Sequence, residues 1–215
     1  VFRDSSIVLG KLTSGSTGDP KCLFFRDAEM IGDGRRTLRG FGMRADDLIL
    51  GVIPWGHSYG LGAVVMPFLI LGSRISWLSG PLPAEIEAVF RRIGPTVFPC
   101  VPTLIRALAK SDCEPESFCS LRTLITAGSR LDPEVAKAFS ERYGIVPRSL
   151  YGSSETGSIA CDGDGRSTLE GTSVGALMEG VEARRGRDGR LRVGSSAVYT
   201  YGNRMRDAAG IGWCR

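Results

Sequence analysis

Between Asp47 and Leu150, short β-branched apolar runs alternate with helix-length amphipathic segments. That alternation limits the architecture more than any other feature of the chain. Asp47 to Ile53, Arg74 to Leu78, Thr96 to Phe98, Leu121 to Thr126 and Pro147 to Leu150 read as strands; the apolar, β-branched run ending at Ile53 suits a strand buried on both faces. Helices are expected between them at Tyr59 to Leu71, Pro83 to Ile93, Pro102 to Ala109 and Pro133 to Tyr143. In the Pro83 segment, Ile86, Val89, Phe90 and Ile93 share one face. Asp132 suits an N-cap and Pro133 a first helical position. Strands joined through helices run parallel, so the chain is an α/β protein with a largely parallel sheet covered by helices on both faces.

Upstream, Ser6 to Leu12 and Lys21 to Arg26 read as two more strands. Asp27 is expected to cap a helix through about Leu38, with Gly40 and Gly42 ending it. Beyond Tyr151 the pattern changes. Gly163 to Gly175 reads as a loop, and Val181 to Arg185, Leu191 to Gly194 and Ala197 to Tyr201 as short strands. We expect an α/β region over residues 1–160 and a small β-rich segment over 161–215.

Several function classes drop out on charge and cysteine usage. The net charge is only +4, and the arginines are scattered rather than clustered, so nucleic acid is not the expected partner. Six cysteines show no two-residue spacing, and His57 is the lone histidine, which argues against a Cys/His metal site. Free thiols point to a reducing, cytoplasmic setting. The apolar run Leu61 to Leu71 is interrupted by Gly62 and Pro67, so no transmembrane segment is expected. The chain opens at Val1 without methionine and stops at Trp213-Cys-Arg215, and it reads as a piece of something longer, incomplete at the C-terminus.

Parallel sheets bind ligands at the carboxyl ends of their strands, and unusual segments cluster there. Leu12-Thr-Ser-Gly-Ser-Thr-Gly-Asp-Pro-Lys21 carries two bend-permitting glycines, four hydroxyls and a lysine, as a phosphate cradle needs. It lacks the Gly-Lys-Ser/Thr ending of the common P-loop, and taken alone such a Ser/Gly run is more often a solvated turn between two strands. Tyr151-Gly-Ser-Ser-Glu-Thr-Gly157 offers an aromatic face for a purine and a carboxylate among hydroxyls for Mg²⁺; a plain strand-ending turn is the alternative. His57 sits between a strand and a helix, where an imidazole can orient a carboxylate or simply serve the fold.

Thr13-Ser-Gly-Ser-Thr-Gly-Asp-Pro-Lys21, Trp55-Gly-His-Ser-Tyr-Gly60 and Tyr151-Gly-Ser-Ser-Glu-Thr156 together resemble three signatures of the adenylate-forming (AMP-binding) enzymes, in order. Thr126-Ala-Gly-Ser-Arg-Leu131, Gly189-Arg-Leu-Arg-Val193 and Gly212-Trp-Cys-Arg215 fit that order too. The likeness is strongest to acyl-CoA and aryl-CoA ligases, and implies the central part of their large domain. By that resemblance Thr13, Ser14, Gly15, Ser16, Thr17, Gly18 and Lys21 would hold the phosphates of ATP. Tyr151 would stack on adenine, lined by Gly128, Ser129, Arg130, Ser149, Leu150, Gly152 and Ser153. Ser154 would donate to the α-phosphate, Glu155 with Thr13 would hold Mg²⁺, and His57 would sit beside the carboxylate being activated.

The implied substrates are ATP, a small carboxylic acid and a thiol acceptor, either CoA or the phosphopantetheine of a carrier protein. An amino-acid-activating peptide-synthetase domain is the alternative, although such domains carry Phe-Asp where this chain has Gly56-His57. A non-catalytic nucleotide-binding remnant is another, since the family's ribose-binding aspartate and C-terminal lid are expected beyond Arg215.

Overall fold

The computed structural model describes residues 5–13, 21–199, 205–206 and 212–214, and the elements alternate as expected. β1 (Ile7–Thr13) and β2 (Lys21–Arg26) form an antiparallel pair with Thr13 opposite Lys21. Next come α1 (Asp27–Phe41), β3 (Leu48–Gly51), α2 (Ser58–Gly60), a π-helical turn (Leu61–Val65) and α3 (Met66–Leu71). β4 (Arg74–Trp77), α4 (Pro83–Ile93), β5 (Val97–Cys100) and α5 (Pro102–Ala109) follow. β6 (Thr123–Thr126), α6 (Pro133–Tyr143), β7 (Pro147–Ser153), β8 (Gly157–Cys161), α7 (Arg166–Glu170) and β9 (Ala176–Leu177) come next. The remaining strands are β10 (Glu182–Arg185), β11 (Leu191–Ser195), β12 (Met205–Arg206) and β13 (Gly212–Cys214).

A seven-stranded sheet runs in the order β4-β3-β5-β6-β7-β8-β9. Its first five strands are parallel, whereas β8 and β9 add on antiparallel. The strand order reverses between β3 and β5, which leaves a crevice at the carboxyl edge. β10, β11, β13 and β12 make a separate antiparallel sheet.

The core follows from strand alternation. Leu50, Phe98 and Leu124 point to one side and pack with Ile86 and Phe90 of α4, Ile105 of α5 and Phe139 of α6. Their neighbours Ile49, Val97 and Ile125 point to the other side, against Leu38 and Phe41 of α1 and Tyr59, Ala63 and Val64 of the helix after His57. β3, β5 and β6 are buried on both faces, so those segments show no regular polar alternation.

At the opposite, amino edge one carboxylate ties three strands together. Asp47 accepts from Arg44 N at 2.6 Å, Thr96 Oγ1 at 2.8 Å and Arg122 Nη2 at 2.7 Å. Burial pushes the Asp47 carboxyl up, but these hydrogen bonds and the Arg122 charge outweigh it and hold it below the ordinary range.

Several boundaries differ from the sequence reading. Arg26, rather than Asp27, is the N-cap of α1, and its amide donates to Glu29 at 2.8 Å; an acid inside the first turn served better than one at the cap. The helix passes Gly40 and stops at Gly42, whose φ of 59° is left-handed. β7 runs on through Tyr151 to Ser153, and α7 lies within the stretch expected to be loop. Residues 197–199 form no strand, although Ala197 and Val198 are buried. Among the described residues no helix is long and apolar enough to cross a membrane.

Candidate functional site

The segments after β3 and β6 and the turn that ends β7 all lie at the carboxyl edge of the parallel strands. His57 caps the helix that follows β3: its Nδ1 accepts the Tyr59 amide at 3.2 Å and its carbonyl accepts the Leu61 amide at 2.9 Å. The next turns are tight because Gly60 has no side chain; a Cβ there would stand 2.4 Å from the Pro54 carbonyl oxygen. Tyr59 is buried and its hydroxyl donates toward Ile125 O (2.9 Å) and Cys100 O (3.3 Å), at the ends of β6 and β5. Burial raises that hydroxyl well above its ordinary pKa, so it remains a neutral donor.

The turn from β7 into β8 is residues 154–156. Ser153 Oγ and Thr156 Oγ1 are 2.9 Å apart, and Ser153 Oγ also accepts the Thr156 amide. Ser58 Oγ donates to Ser154 Oγ at 3.1 Å, so the histidine segment and the serine-rich turn touch directly. Gly157 has φ +67°, and a Cβ on it would fall 2.5 Å from the Asp33 carboxylate. α1 clamps this region: Asp33 Oδ1 accepts the Ser158 amide at 2.7 Å and Arg36 Nη1 donates to the Ser158 carbonyl at 2.9 Å. Thr37 Oγ1 lies 2.9 Å from Ser158 Oγ.

Two cavities open on this edge. The larger, about 440 Å³, is lined by residues 128–131 and 149–152 and by the 171–174 segment. Exposed Tyr151 forms part of its wall. Its floor is fixed by a network that the sequence reading missed. Asp162 Oδ2 accepts from Thr168 N and Thr168 Oγ1, each at 2.7 Å, and Thr168 Oγ1 accepts the Ser149 amide at 3.2 Å. Arg130 Nη2 donates to the Gly171 carbonyl across the mouth. The smaller cavity, about 250 Å³, lies between Asp33, His57, Tyr59, Ala63, Ser154 and Ser158. The two share Gly128, Leu150 and Gly152. A third, mostly apolar hollow lies beyond His57, Tyr59 and Gly128 and is lined by Val52, Pro81, Leu82 and Leu104.

Of the expected site residues, Gly128, Ser129, Arg130, Ser149, Leu150, Tyr151 and Gly152 line the larger cavity, and His57, Ser153 and Ser154 the smaller one. Glu155 is half-buried in the turn beside them. Thr13 ends β1, and Lys11, two residues earlier, lies within electrostatic reach of both Glu155 and Asp33. Ser14, Gly15, Ser16, Thr17 and Gly18 lie outside the described residues, as does the Lys21 side chain. Asp33 and Thr168 escaped the sequence reading because a polar residue on a helix ordinarily marks its solvent face.

The sequence profile described as AMP-binding enzyme matches residues 5–185. The chain is 30% identical over 146 residues to the benzoate–CoA ligase of Thauera aromatica, which covers 66% of this chain and 28% of that protein. To the p-hydroxybenzoic acid–AMP ligase of Mycobacterium tuberculosis it is 33% identical over 151 residues, covering 67% and 21%. It thus spans less than a third of the curated relatives it matches. Among solved structures, apo MatB from Rhodopseudomonas palustris superposes with a TM-score of 0.81 at 19% identity, over 94% of this chain and 46% of that one. A malonyl-CoA ligase ternary product complex gives 0.79 at 19% identity, over 94% and 51%. These structures share the fold described above.

Proposed function

Because the chain belongs to the AMP-binding enzyme family, we propose that its parent protein activates a small carboxylic acid as an acyl-adenylate and passes the acyl group to a thiol. The observation that carries this reading is the meeting of two cavities at Gly128, Leu150 and Gly152, with His57 at the smaller one. A nucleotide in the larger cavity, with its base against Tyr151, would direct its α-phosphate toward that junction. An acid in the smaller cavity would direct its carboxylate to the same place. The carboxylate oxygen then attacks the α-phosphorus and pyrophosphate leaves. In the second half-reaction a thiolate attacks the acyl carbon and AMP leaves, each step depending on positioning and charge stabilisation. The apolar hollow beyond His57 offers the acceptor arm of CoA or of a carrier protein a way in.

Glu155 and Thr13 are the proposed holders of Mg²⁺. Among the described residues no three His, Cys, Asp or Glu side chains gather into a cage, and one carboxylate beside hydroxyls is the donor set Mg²⁺ uses when phosphates and water supply the rest. The ion would neutralise triphosphate charge. Aryl or short acyl acids fit the smaller cavity better than long chains do, since about 250 Å³ lies below the usual range for ligand pockets. The names of the curated relatives, benzoate and p-hydroxybenzoic acid ligases, agree with that size.

The test is calorimetric titration of the 215-residue chain with AMP and with benzoyl-sulfamoyl adenosine, a stable acyl-adenylate analogue. Competition between them, with the analogue binding at least tenfold tighter, is expected because it fills both cavities at once. A folded chain that binds neither would overturn the proposal.

A further inference from the structure

The smaller cavity contains a carboxylate that acid activation does not require. Asp33 reaches it from α1 with a side chain only 11% exposed. Its Oδ1 accepts the Ser158 amide at 2.7 Å and lies 3.9 Å from Arg36 Nη1. Oδ2 accepts no hydrogen bond from any described residue, and it stands 3.7 Å from where a Cβ on Gly62 would be. Gly62 lines the same cavity, so its missing side chain leaves room in front of that oxygen.

Position along the cavity gives Asp33 its meaning. Gly128, Leu150 and Gly152 belong to both cavities and mark the end where carboxylate and phosphate would meet. Asp33, Gly62, Ala63 and Ser158 line the smaller cavity alone, away from that junction. An acid with its carboxylate at the junction therefore turns its other end toward Asp33. A wholly apolar acid would dry the site and leave a carboxylate oxygen buried without a donor, which is costly.

Charge decides which donor fits. Arg36 is buried beside Asp33, and the Lys11 ammonium, 4.4 Å above the Phe25 ring, is within its electrostatic reach. Lys11 and Arg36 stand against Asp33 and Glu155, and Glu179 beside Arg36 is paired with Arg39, so the charges of this corner already balance. A neutral hydroxyl can donate to Oδ2 without upsetting that balance, whereas an ammonium would add an unbalanced positive charge. We propose that Asp33 is a specificity-determining residue that accepts a hydrogen bond from a hydroxyl at the far end of a compact, aryl-sized acid. The inference rests on the acid-activation reading above.

The test titrates the chain with AMP and with the sulfamoyl adenosines of benzoate, 3-hydroxybenzoate, 4-hydroxybenzoate and 4-(aminomethyl)benzoate, in wild type, Asp33→Asn and Gly62→Ala. A hydrogen bond to a charged acceptor should favour one hydroxybenzoyl analogue over the benzoyl analogue by roughly tenfold to a hundredfold. In Asp33→Asn the amide keeps an acceptor for Ser158 N but replaces the charged Oδ2 with a neutral NH₂ that can only donate to the hydroxyl, so the preference should fall by about tenfold. Gly62→Ala brings its methyl only to ordinary contact with Oδ2 and should reduce the preference without disturbing the fold. AMP affinity reports whether each variant stands. Equal wild-type affinity for benzoyl and both hydroxybenzoyl analogues, a preference undiminished in Asp33→Asn, or tightest binding of the aminomethyl analogue would each overturn the role of Asp33. Failure of wild type to bind AMP would overturn acid activation itself, and this inference with it.

Discussion

Glu155 and Gly157 stand two residues apart in the same corner and make opposite demands on it. Glu155 is half-buried with hydroxyls around it, and its proposed work is on the metal. In the intact parent protein Glu155→Gln should therefore weaken use of Mg·ATP at least tenfold while leaving AMP affinity within about twofold, because only the triphosphate states need the ion. Parallel titrations with both nucleotides check this, and equal losses would give Glu155 a purely structural part. Gly157 is constrained sterically: its φ is +67° and an added Cβ would meet the Asp33 carboxylate at 2.5 Å. Gly157→Ala should cost about 1–3 kcal/mol, the range for strained backbone, read as a lower midpoint in urea unfolding. Tyr151 stood out because an aromatic beside a glycine at a strand end has few structural uses, and it lines the larger cavity. Asp33 did not stand out. Its polar character reads as solvent exposure until the β7–β8 corner is seen folded against α1.

At the scale of elements, the cap of the helix after β3 is the same residue to which the proposed chemistry is assigned. His57 Nδ1 accepts the Tyr59 amide, so His57→Ala should destabilise the fold by about 1 kcal/mol, the usual worth of a cap. His57→Asn retains a capping acceptor and should melt close to wild type, which makes any remaining loss of adenylation in the parent protein chemical in origin. Comparing the two melting curves separates the roles. The alternation of strand and helix was readable from residue type alone, since β3 and β5 are apolar throughout, β6 sets Leu124 and Ile125 between two β-branched threonines, and α4 and α6 open with proline. The π-helical turn at Leu61–Val65 was invisible, because one extra residue in a helical turn leaves the apolar content unchanged. The extension of β7 through Ser153 was hidden by Gly152, which reads as a strand breaker. There a Cβ would strike the Gly157 carbonyl oxygen at 2.6 Å, so the glycine permits the close pairing of β7 with β8.

Across the whole molecule, the two edges of the parallel sheet divide the work. The amino edge is tied by Asp47 to Arg122, Thr96 and the Arg44 amide, far along the strands from either cavity. Since the folded carboxyl sits below the ordinary aspartate value of about 3.9, the unfolded chain binds the proton more readily. The stability Asp47 supplies is complete above that value and fades as pH falls through and below it. Asp47→Asn should lower stability at neutral pH by about 2 kcal/mol and flatten the acid limb of a melting-temperature-versus-pH curve, with AMP affinity unchanged. The carboxyl edge is built differently, from turns that lean on one another. Ser58 on the histidine segment donates to Ser154 on the β7–β8 turn at 3.1 Å, and the two cavities share a wall. With ligands placed as proposed, whichever arrives first would set the position of that common wall for the second. On the proposed function, acid and nucleotide would be thermodynamic partners rather than independent guests: if AMP tightens the grip on an acid by some factor, the acid must tighten the grip on AMP by the same factor, and Ser58→Ala should shrink both equally.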